Sequence, residues 1–417
     1  MAHIDQTITI IGAGVIGLST AYALVKKGVS VQLIDASDTV GSGASYANGA
    51  QLSYRYVSPL ADQGVPLQGL KWMGRADSPL NMRIRCSPSQ WRWLLQFTLA
   101  CSQKTNRLNG NHILRLSLLS QATLHNWMQK DQLSDYHWHR SGKMIIHRQQ
   151  RDFEYAAHKV DPSVQKVLSP SESIDIEPSL IHIQSQLVGA IYAPNDETAD
   201  AHQYCLALLD KLQKSSRFTF IKGTHVKTIL TDKQKITQII TSQGDFKVDQ
   251  LIIAAGNGAT TLLNPLGIHL PIYPLKGYSL TLPFPQEPAV VPSISVTDYG
   301  HKTVYAKLGD RLRIAAMVDI GYENEGIRPE RIQALKKIIQ STFPKLRHLD
   351  QAEAWSGLRP STPKGPPILG KTPFKNLWLN VGHGSLGFTL AAGSAEVLAH
   401  LILQNESPID LTGLTYQ

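Results

Sequence analysis

Residues 12–17 read Gly-Ala-Gly-Val-Ile-Gly. Glycines at this spacing leave the backbone bare. A bare turn at the start of a helix is what a phosphate group needs, with free amide donors, no obstructing side chain and the positive end of a helix dipole. Gly12 suits the tight turn, Gly14 the close approach of the anion, and Gly17 the packing of helix on strand, with Ala13, Val15 and Ile16 supplying the rest of the backbone. Asp35 follows Gly17 by 18 residues, where a carboxylate can accept from both hydroxyls of a ribose. The same charge opposes a 2′-phosphate, so NADP is not expected. These residues point to a dinucleotide, the alternative being a glycine turn that serves packing alone.

The flanking pattern supplies the elements such a site requires. Thr7-Ile8-Thr9-Ile10-Ile11 is apolar and β-branched and reads as a buried parallel strand. Leu18 to Lys27 has helical spacing and stops at Gly28, and Val29 to Asp35 is a second strand, which completes one βαβ unit. Residues 36–69, rich in Gly, Ser, Ala and Pro, read as a long ordered loop. Residues 89–130 are helical in pattern, and 135–195 alternate short strands with turns. A helix is expected from Asp196 to Lys214, and three or four strands from Phe218 to Ile253. Residues 276–320 alternate like an antiparallel sheet, 328–341 look helical, and Trp378-Leu379-Asn380-Val381 is a last strand before a helix from Phe388 to Leu403. A nucleotide domain in separated segments, with a second domain inserted between them, accounts for this order.

Composition narrows the function classes. The chain has 417 residues, of which 42% are hydrophobic and 18% charged, enough apolar material for a packed core and not a disordered composition. Cys86, Cys101 and Cys205 are far apart and form no C-x-x-C pair, so neither a disulfide scaffold nor a cysteine-rich metal site is expected, and a reducing compartment fits. The histidines show no metal-binding spacing, and no G-x-S-x-G supports acyl transfer. Ile8 to Val25 lacks a basic lead and is interrupted by glycines, so it reads as mature fold and not as an export signal, and a cytosolic location is expected. The net charge of +9 is spread without a basic run, which fits an ordinary basic protein, a membrane-surface role or, last, nucleic acid.

Beyond Asp35 the chain does not continue with further nucleotide-type units but enters Ser42-Gly43-Ala44-Ser45-Tyr46-Ala47-Asn48-Gly49-Ala50-Gln51. With Gly64-Val65-Pro66-Leu67, Pro194-Asn195-Asp196-Glu197-Thr198, Tyr273-Pro274-Leu275-Lys276-Gly277-Tyr278-Ser279, Gly357-Leu358-Arg359-Pro360 and Gly382-His383-Gly384-Ser385-Leu386-Gly387, it resembles the FAD-dependent amine oxidoreductases that include D-amino-acid oxidase and glycine oxidase, and among them the bacterial D-amino-acid dehydrogenase small subunits. The resemblance runs nearly the whole length. It implies an α/β fold with a Rossmann-type FAD-binding domain (residues 1–58, 186–265 and 355–417) and an inserted α+β substrate domain built on an antiparallel sheet (59–185 and 266–354). It implies FAD as cofactor, a small amino acid as substrate and hydride transfer to flavin N5 without a dedicated base.

The resemblance also implies roles. Ser42, Ser45, Ala47, Asn48, Gly49, Ala50 and Gln51 would run along the pyrophosphate and under the flavin, and Val226 would hold the adenine through its backbone. Ala255 and Gly256 close a strand where FAD passes. Gly382, Gly384, Ser385, Leu386, Gly387 and Thr389 would offer amides and a helix N-terminus to the flavin. Arg359 matches the family's carboxylate-binding arginine, which grips a substrate carboxylate through two parallel hydrogen bonds. Tyr278, Tyr56 and His383 are candidates over the flavin, with packing or backbone roles as their alternatives. The family's Asn-Ala-Gly-Gln is here Asn48-Gly49-Ala50-Gln51, its paired glycines are Ala315-Ala316, and Tyr305 replaces an aliphatic residue. If those last positions face the substrate, D-alanine is not the expected preference. Oxidative deamination of a small D-amino acid with a quinone-type acceptor is the reading that follows. An oxygen-using amino-acid or glycine oxidase is the alternative, and an FAD-containing protein acting on RNA is the alternative of another class, although no nucleic acid is expected. Lys71, Trp72, Met73, Arg75, Arg83, Arg85, Trp91, Arg92 and Trp93 mix cations with aromatics among few acids, as suits docking on the cytoplasmic face of the inner membrane or a plain helical cover.

Overall fold

The computed structural model describes residues 6–75, 77–283 and 290–416. The chain opens with β1 (Ile8–Ile11), α1 (Val15–Lys26) and β2 (Val31–Ile34), followed by β3 (Gln51–Leu52), α2 (Val65–Trp72), β4 (Leu80–Met82), α3 (Pro88–Ala100) and α4 (Gln103–Asp131). Next come β5 (Lys143–His147), α5 (Gln150–Ala157), β6 (Lys166–Leu168), α6 (Pro170–Ile176), β7 (Gly189–Ala193), β8 (Glu197–Thr198) and α7 (Ala201–Gln213). Then follow β9 (Phe218–Ile221), β10 (Val226–Asp232), β11 (Lys235–Thr241), β12 (Asp245–Lys247), β13 (Gln250–Ile253), α8 (Gly258–Leu263) and β14 (Tyr273–Pro283). The chain ends with β15 (Ser295–Asp298), β16 (Thr303–Leu308), β17 (Arg311–Ile320), α9 (Pro329–Thr342), β18 (Glu353–Ser361), β19 (Ile368–Lys371), β20 (Leu377–Val381) and α10 (Gly387–Ile402). The helices α5 and α6 stand where only strands and turns were expected, because short amphipathic turns leave little period to read.

A six-stranded sheet, in the order β19-β20-β13-β1-β2-β9, carries the glycine turn. It is parallel except for β19, which explains the continuous apolar runs of β1, β2 and β13. One face is covered by α1, α10 and α7, with α4 packed on α10. The other is covered by the small sheet β10-β11-β12, whose Val226, Ile229, Ile236 and Ile239 meet Ile11, Ile34 and Ile253. Gly384–Ile402 is long and apolar enough to cross a membrane, yet most of it is buried in this core.

The second sheet has nine strands among the described residues, in the order β18-β14-β17-β16-β15-β5-β7-β6 with β4 beside β17, and its pairs are antiparallel except β15–β5 and β17–β4. Residues 284–289 of the expected 276–320 sheet lie outside the described residues. Two expected boundaries move. Strands β7 and β18, assigned from sequence to the FAD domain, are paired into this second sheet, and α4, assigned to the substrate domain, lies against α10. Strand pairing between segments separated by other elements, β5 with β7 and β14 with β18, decides this, and no local pattern carries it.

Alternation gives the second sheet two different faces. Tyr278, Leu280, Tyr305, Ile314, Ala316, Met144 and Ile146 point into a sealed core with Leu335 and Ile339 of α9. The opposite face carries Gly277, Ser279, Arg313, Ala315, Val304 and Arg359, and it looks toward the loop of residues 42–51.

Candidate active site

The glycine turn has the geometry a phosphate cradle needs. Gly12 has φ +109°, and a Cβ there would stand 2.5 Å from the Ala254 carbonyl oxygen, so only glycine fits. A Cβ on Gly17 would lie 1.7 Å from the Gly12 oxygen, which is the close helix–strand packing its spacing suggests. No side chain caps α1 and no acid occupies its first turn, so its amides are left for an anion. Above Gly14 a Cβ would meet nothing nearer than Ser45 Oγ at 3.4 Å. Ser45 Oγ accepts from the Val15 amide at 3.2 Å and pins the 42–51 loop to the helix start. Asp35 accepts from the Ala13 amide at 2.5 Å and the Ser37 amide at 2.8 Å. It therefore braces the turn, and a carboxylate's remaining lone pairs are still able to take ribose hydroxyls.

The 42–51 loop is held between the two domains by backbone-directed bonds. Ser279 Oγ donates to the Ala47 carbonyl at 2.7 Å, and Arg313 Nη1 to the Asn48 carbonyl at 3.0 Å. Gln51 Nε2 donates to Ser295 Oγ at 2.6 Å and Thr297 Oγ1 at 3.2 Å, and Thr389 Oγ1 to the Gln51 carbonyl at 3.4 Å. Ala50 has φ +57°, a left-handed conformation that costs a non-glycine residue about 1 kcal/mol, whereas Gly49 lies outside that region. The inverted pair thus puts the strain on the residue that packs with Ala306 and Leu308.

The remaining cofactor candidates lie on β10, at the end of β13 and before α10. Val226 opens β10 beside a register shift, its side chain in the core under the first sheet. Ala255 and Gly256 follow β13 beside the glycine turn, and a Cβ on Gly256 would meet only Pro360, at 4.0 Å. Gly382, Gly384, Ser385, Leu386 and Gly387 lead into α10, which has no side-chain cap and no acid in its first turn. Ser42 and Ser385 are exposed. The donor-rich, anion-free cradle and the small-residue loop fit FAD.

Arg359 lies on the face of β18 that looks at this loop. Its Nη1 donates to the Met317 carbonyl at 3.2 Å, and among the described residues no carboxylate comes within ion-pair distance. Crowding by protein lowers its pKa to about 10, with Asp319 opposing the shift, so it stays charged at neutral pH. Gly277 opposes it without a side chain, where a Cβ would stand 2.2 Å from Nη2. Met317 has φ +68° at the irregularity between β14 and β17, which turns its carbonyl to the guanidinium. An arginine charged, crowded and lacking an anion is built to receive one.

The other three candidates separate. Tyr278 is 1% exposed on the sealed face, its hydroxyl donating to Asp319 Oδ2 at 2.7 Å beside Arg328 and Arg331, so it belongs to the packing alternative. His383 shares a hydrogen bond of 3.0 Å with Ser394 Oγ, and burial drops its pKa to about 3, which leaves a neutral ring tying the loop to α10. Tyr56 is exposed, with the Lys143 ammonium 4.3 Å from its ring centroid. Tyr305, suspected of touching substrate, packs edge-on against Phe343 in the sealed core, and Ala316 joins it there. Ala315 alone of these substitutions faces the loop.

Residues 7–401 match the model of the FAD dependent oxidoreductase family, DAO. The chain belongs to that family. It is 46% identical over 410 residues to D-amino acid dehydrogenase 2 of Pseudomonas aeruginosa, covering 98% of each chain. With D-amino acid dehydrogenase 2 of Ralstonia nicotianae the identity is 37% over 414 residues, covering 96% of this chain and 97% of the relative. Its fold is similar to that of glycine oxidase from Geobacillus kaustophilus, with TM-score 0.75, 22% identity and 99% of each chain covered. The protein is an FAD-dependent oxidoreductase, and the Rossmann-type reading of residues 12–35 holds.

Sequence reasoning missed Gly277, Ser279, Arg313 and Met317 as parts of the site. Ser279 and Gly277 lie inside the motif from Tyr273 to Ser279, but which of its residues faces the loop depends on strand register. Lys143, a lone cation in an apolar strand, was the legible signal of a polar face on β5.

Proposed function

We propose that the protein is a D-amino-acid dehydrogenase that oxidises a small D-amino acid to the imino acid, which water converts to the 2-oxo acid and ammonia. The observation that carries this reading is Arg359, a charged arginine that has no carboxylate partner among the described residues and lies on the face that looks at the 42–51 loop. Arg359 would take the α-carboxylate through two parallel hydrogen bonds, with its own position set by the Met317 carbonyl and by the space at Gly277. Ser279 and Arg313 couple that strand face to the loop at Ala47 and Asn48, so the carboxylate site and the cofactor site keep one spacing. FAD, when bound, supplies the hydride-accepting oxidant. No side chain of the face need act as base if the amine arrives neutral. The kinship to D-amino acid dehydrogenases supports the substrate class. The test is a panel of D- and L-amino acids under anaerobic conditions, watching the flavin absorbance bleach. Bleaching by L- but not D-enantiomers would reject the reading.

The acceptor we assign is a membrane quinone, reached from the cytoplasmic face. Trp91, Leu95 and Leu99 of α3 stand in one helical row and are 54, 63 and 73% exposed, an apolar ridge of unusual size for a water-facing helix. Arg83, Arg85 and Arg92 are exposed beside it, complementary to anionic headgroups, and Trp93 is buried, so only part of the aromatic group is available for docking. Trp93 and Phe97 meet Tyr273 in the core beneath, which supports α3 as a cover as well. Flotation with anionic phosphatidylglycerol vesicles should show association that salt weakens. Absence of association at low salt, together with rapid peroxide formation in air, would favour the oxidase.

A further inference from the structure

The hairpin between β15 and β16 brings a second cation to the substrate face. Lys302 has φ +52° in that turn, and its ammonium stands 3.2 Å from the ring centroid of Tyr299. Tyr299 in turn lies against His147, ring centroids 4.8 Å apart at 30°. His147 shares its face of β5 with Lys143 by alternation, and Lys143 carries Tyr56 above its ammonium. The row therefore continues the face of Arg359, Ala315 and Val304 to its far side.

Lys302 has no ion pair or hydrogen bond among the described residues. Asp298, four residues before Lys302 at the end of β15, is already taken by Arg148 at 2.9 Å and His301 at 3.0 Å. Asp152 and Asp62, whose fields also reach Lys302, stand beyond ion-pair distance. Surrounding protein holds its pKa down to about 8, although the side chain reaches solvent. Its ammonium rests only on an aromatic face, a contact that orients a cation without neutralising it. Lys143 on the same face is buried and donates to Ser53 Oγ at 3.1 Å. Among the described residues Arg359 and Lys302 are two further cations of this face without an ion pair, and of these Lys302 is the exposed one.

Resting on the assignment of Arg359 to the α-carboxylate, we propose that Lys302, seated on Tyr299, is the subsite for a second anionic group, so that the preferred substrates are dicarboxylic D-amino acids. The side-chain carboxylate would pair with the Lys302 ammonium while Arg359 holds the α-carboxylate. A neutral isostere would leave Lys302 without a counter-ion, and that asymmetry sets the specificity.

The test compares D-glutamate with D-glutamine, and D-aspartate with D-asparagine, on the FAD-loaded enzyme in anaerobic flavin reduction. The acids should exceed their amides in kcat/KM by about tenfold or more. The larger of the two ratios reports which chain length spans the site. In Lys302→Met the acid-to-amide ratio should collapse toward one, with the change falling on KM for the acid, and Lys302→Arg should restore part of it. A ratio near one in the wild type, or a ratio that survives Lys302→Met, overturns the proposal. A purely structural lysine would lower acid and amide alike and keep the ratio, which also overturns it. Failure of every D-amino acid, D-alanine included, to bleach the flavin would instead reject the underlying dehydrogenase reading and this subsite with it.

Discussion

Replacing Gly277 by alanine tests how Arg359 is positioned. The residue is not in a left-handed conformation, so alanine adds no backbone strain and suits a strand at least as well as glycine. What it adds is a methyl carbon 2.2 Å from Arg359 Nη2, 2.4 Å from Cζ and 2.6 Å from Nη1. Carbon and nitrogen normally sit about 3.5 Å apart, so the guanidinium must withdraw by roughly 1 Å or more. That movement pulls against its bond to the Met317 carbonyl. A misplacement of about 1 Å in a substrate-positioning group costs on the order of 100-fold, or about 2.7 kcal/mol of transition-state stabilisation. Anaerobic stopped-flow bleaching with D-alanine and D-glutamate should show kcat/KM reduced by about that factor, most of it in the saturation constant. FAD content after gel filtration should equal that of the wild type, because the atoms nearest the added methyl all belong to Arg359. A variant within threefold of wild type would refute the placement of the guanidinium, and loss of FAD would show that the methyl disturbs the sheet instead.

Arg359→Ala removes one partner of a charge pair that forms with substrate, so kcat/KM should fall by about 30-fold or more, corresponding to the lower end of roughly 2–5 kcal/mol, with FAD still bound. Gly14→Val points a branched side chain into the open space above α1, and the purified protein should lose its yellow colour, read as the absorbance near the flavin band, while far-UV circular dichroism is retained. His383 is held near 3 and His147 near 4 by burial, whereas the unfolded chain protonates each at about 6.5. Their contribution to stability is therefore complete above that pH and is lost as pH falls toward the folded values. Urea melts of His383→Gln should show a slope of stability against pH shallower by up to about 1.4 kcal/mol per unit between pH 6 and 4, and an unchanged slope would place the ring in contact with solvent.

The dinucleotide cradle was legible because its physics is local. A bare turn, a strand before it, a helix after it and an acid at the end of the next strand all lie within residues 8–35, and the structure joins them by short bonds such as Asp35 to the Ala13 amide. The order of the segments likewise announced an inserted domain, and residues 328–341 and 388–403 form helices close to their expected limits. Strand register was beyond reach of sequence. It decides that Gly277 and Ser279 face the flavin loop while Tyr278, between them, drives its hydroxyl into Asp319. It also decides that Tyr305 is a core residue and that β7 and β18 leave the domain their neighbours suggested. A one-residue change of register exchanges the two faces of a strand, and only pairing with distant partners selects between them. That no carboxylate among the described residues lies within ion-pair distance of Arg359 or Lys302 is of the same kind, because a missing partner becomes visible only when the distant elements around a group are assembled.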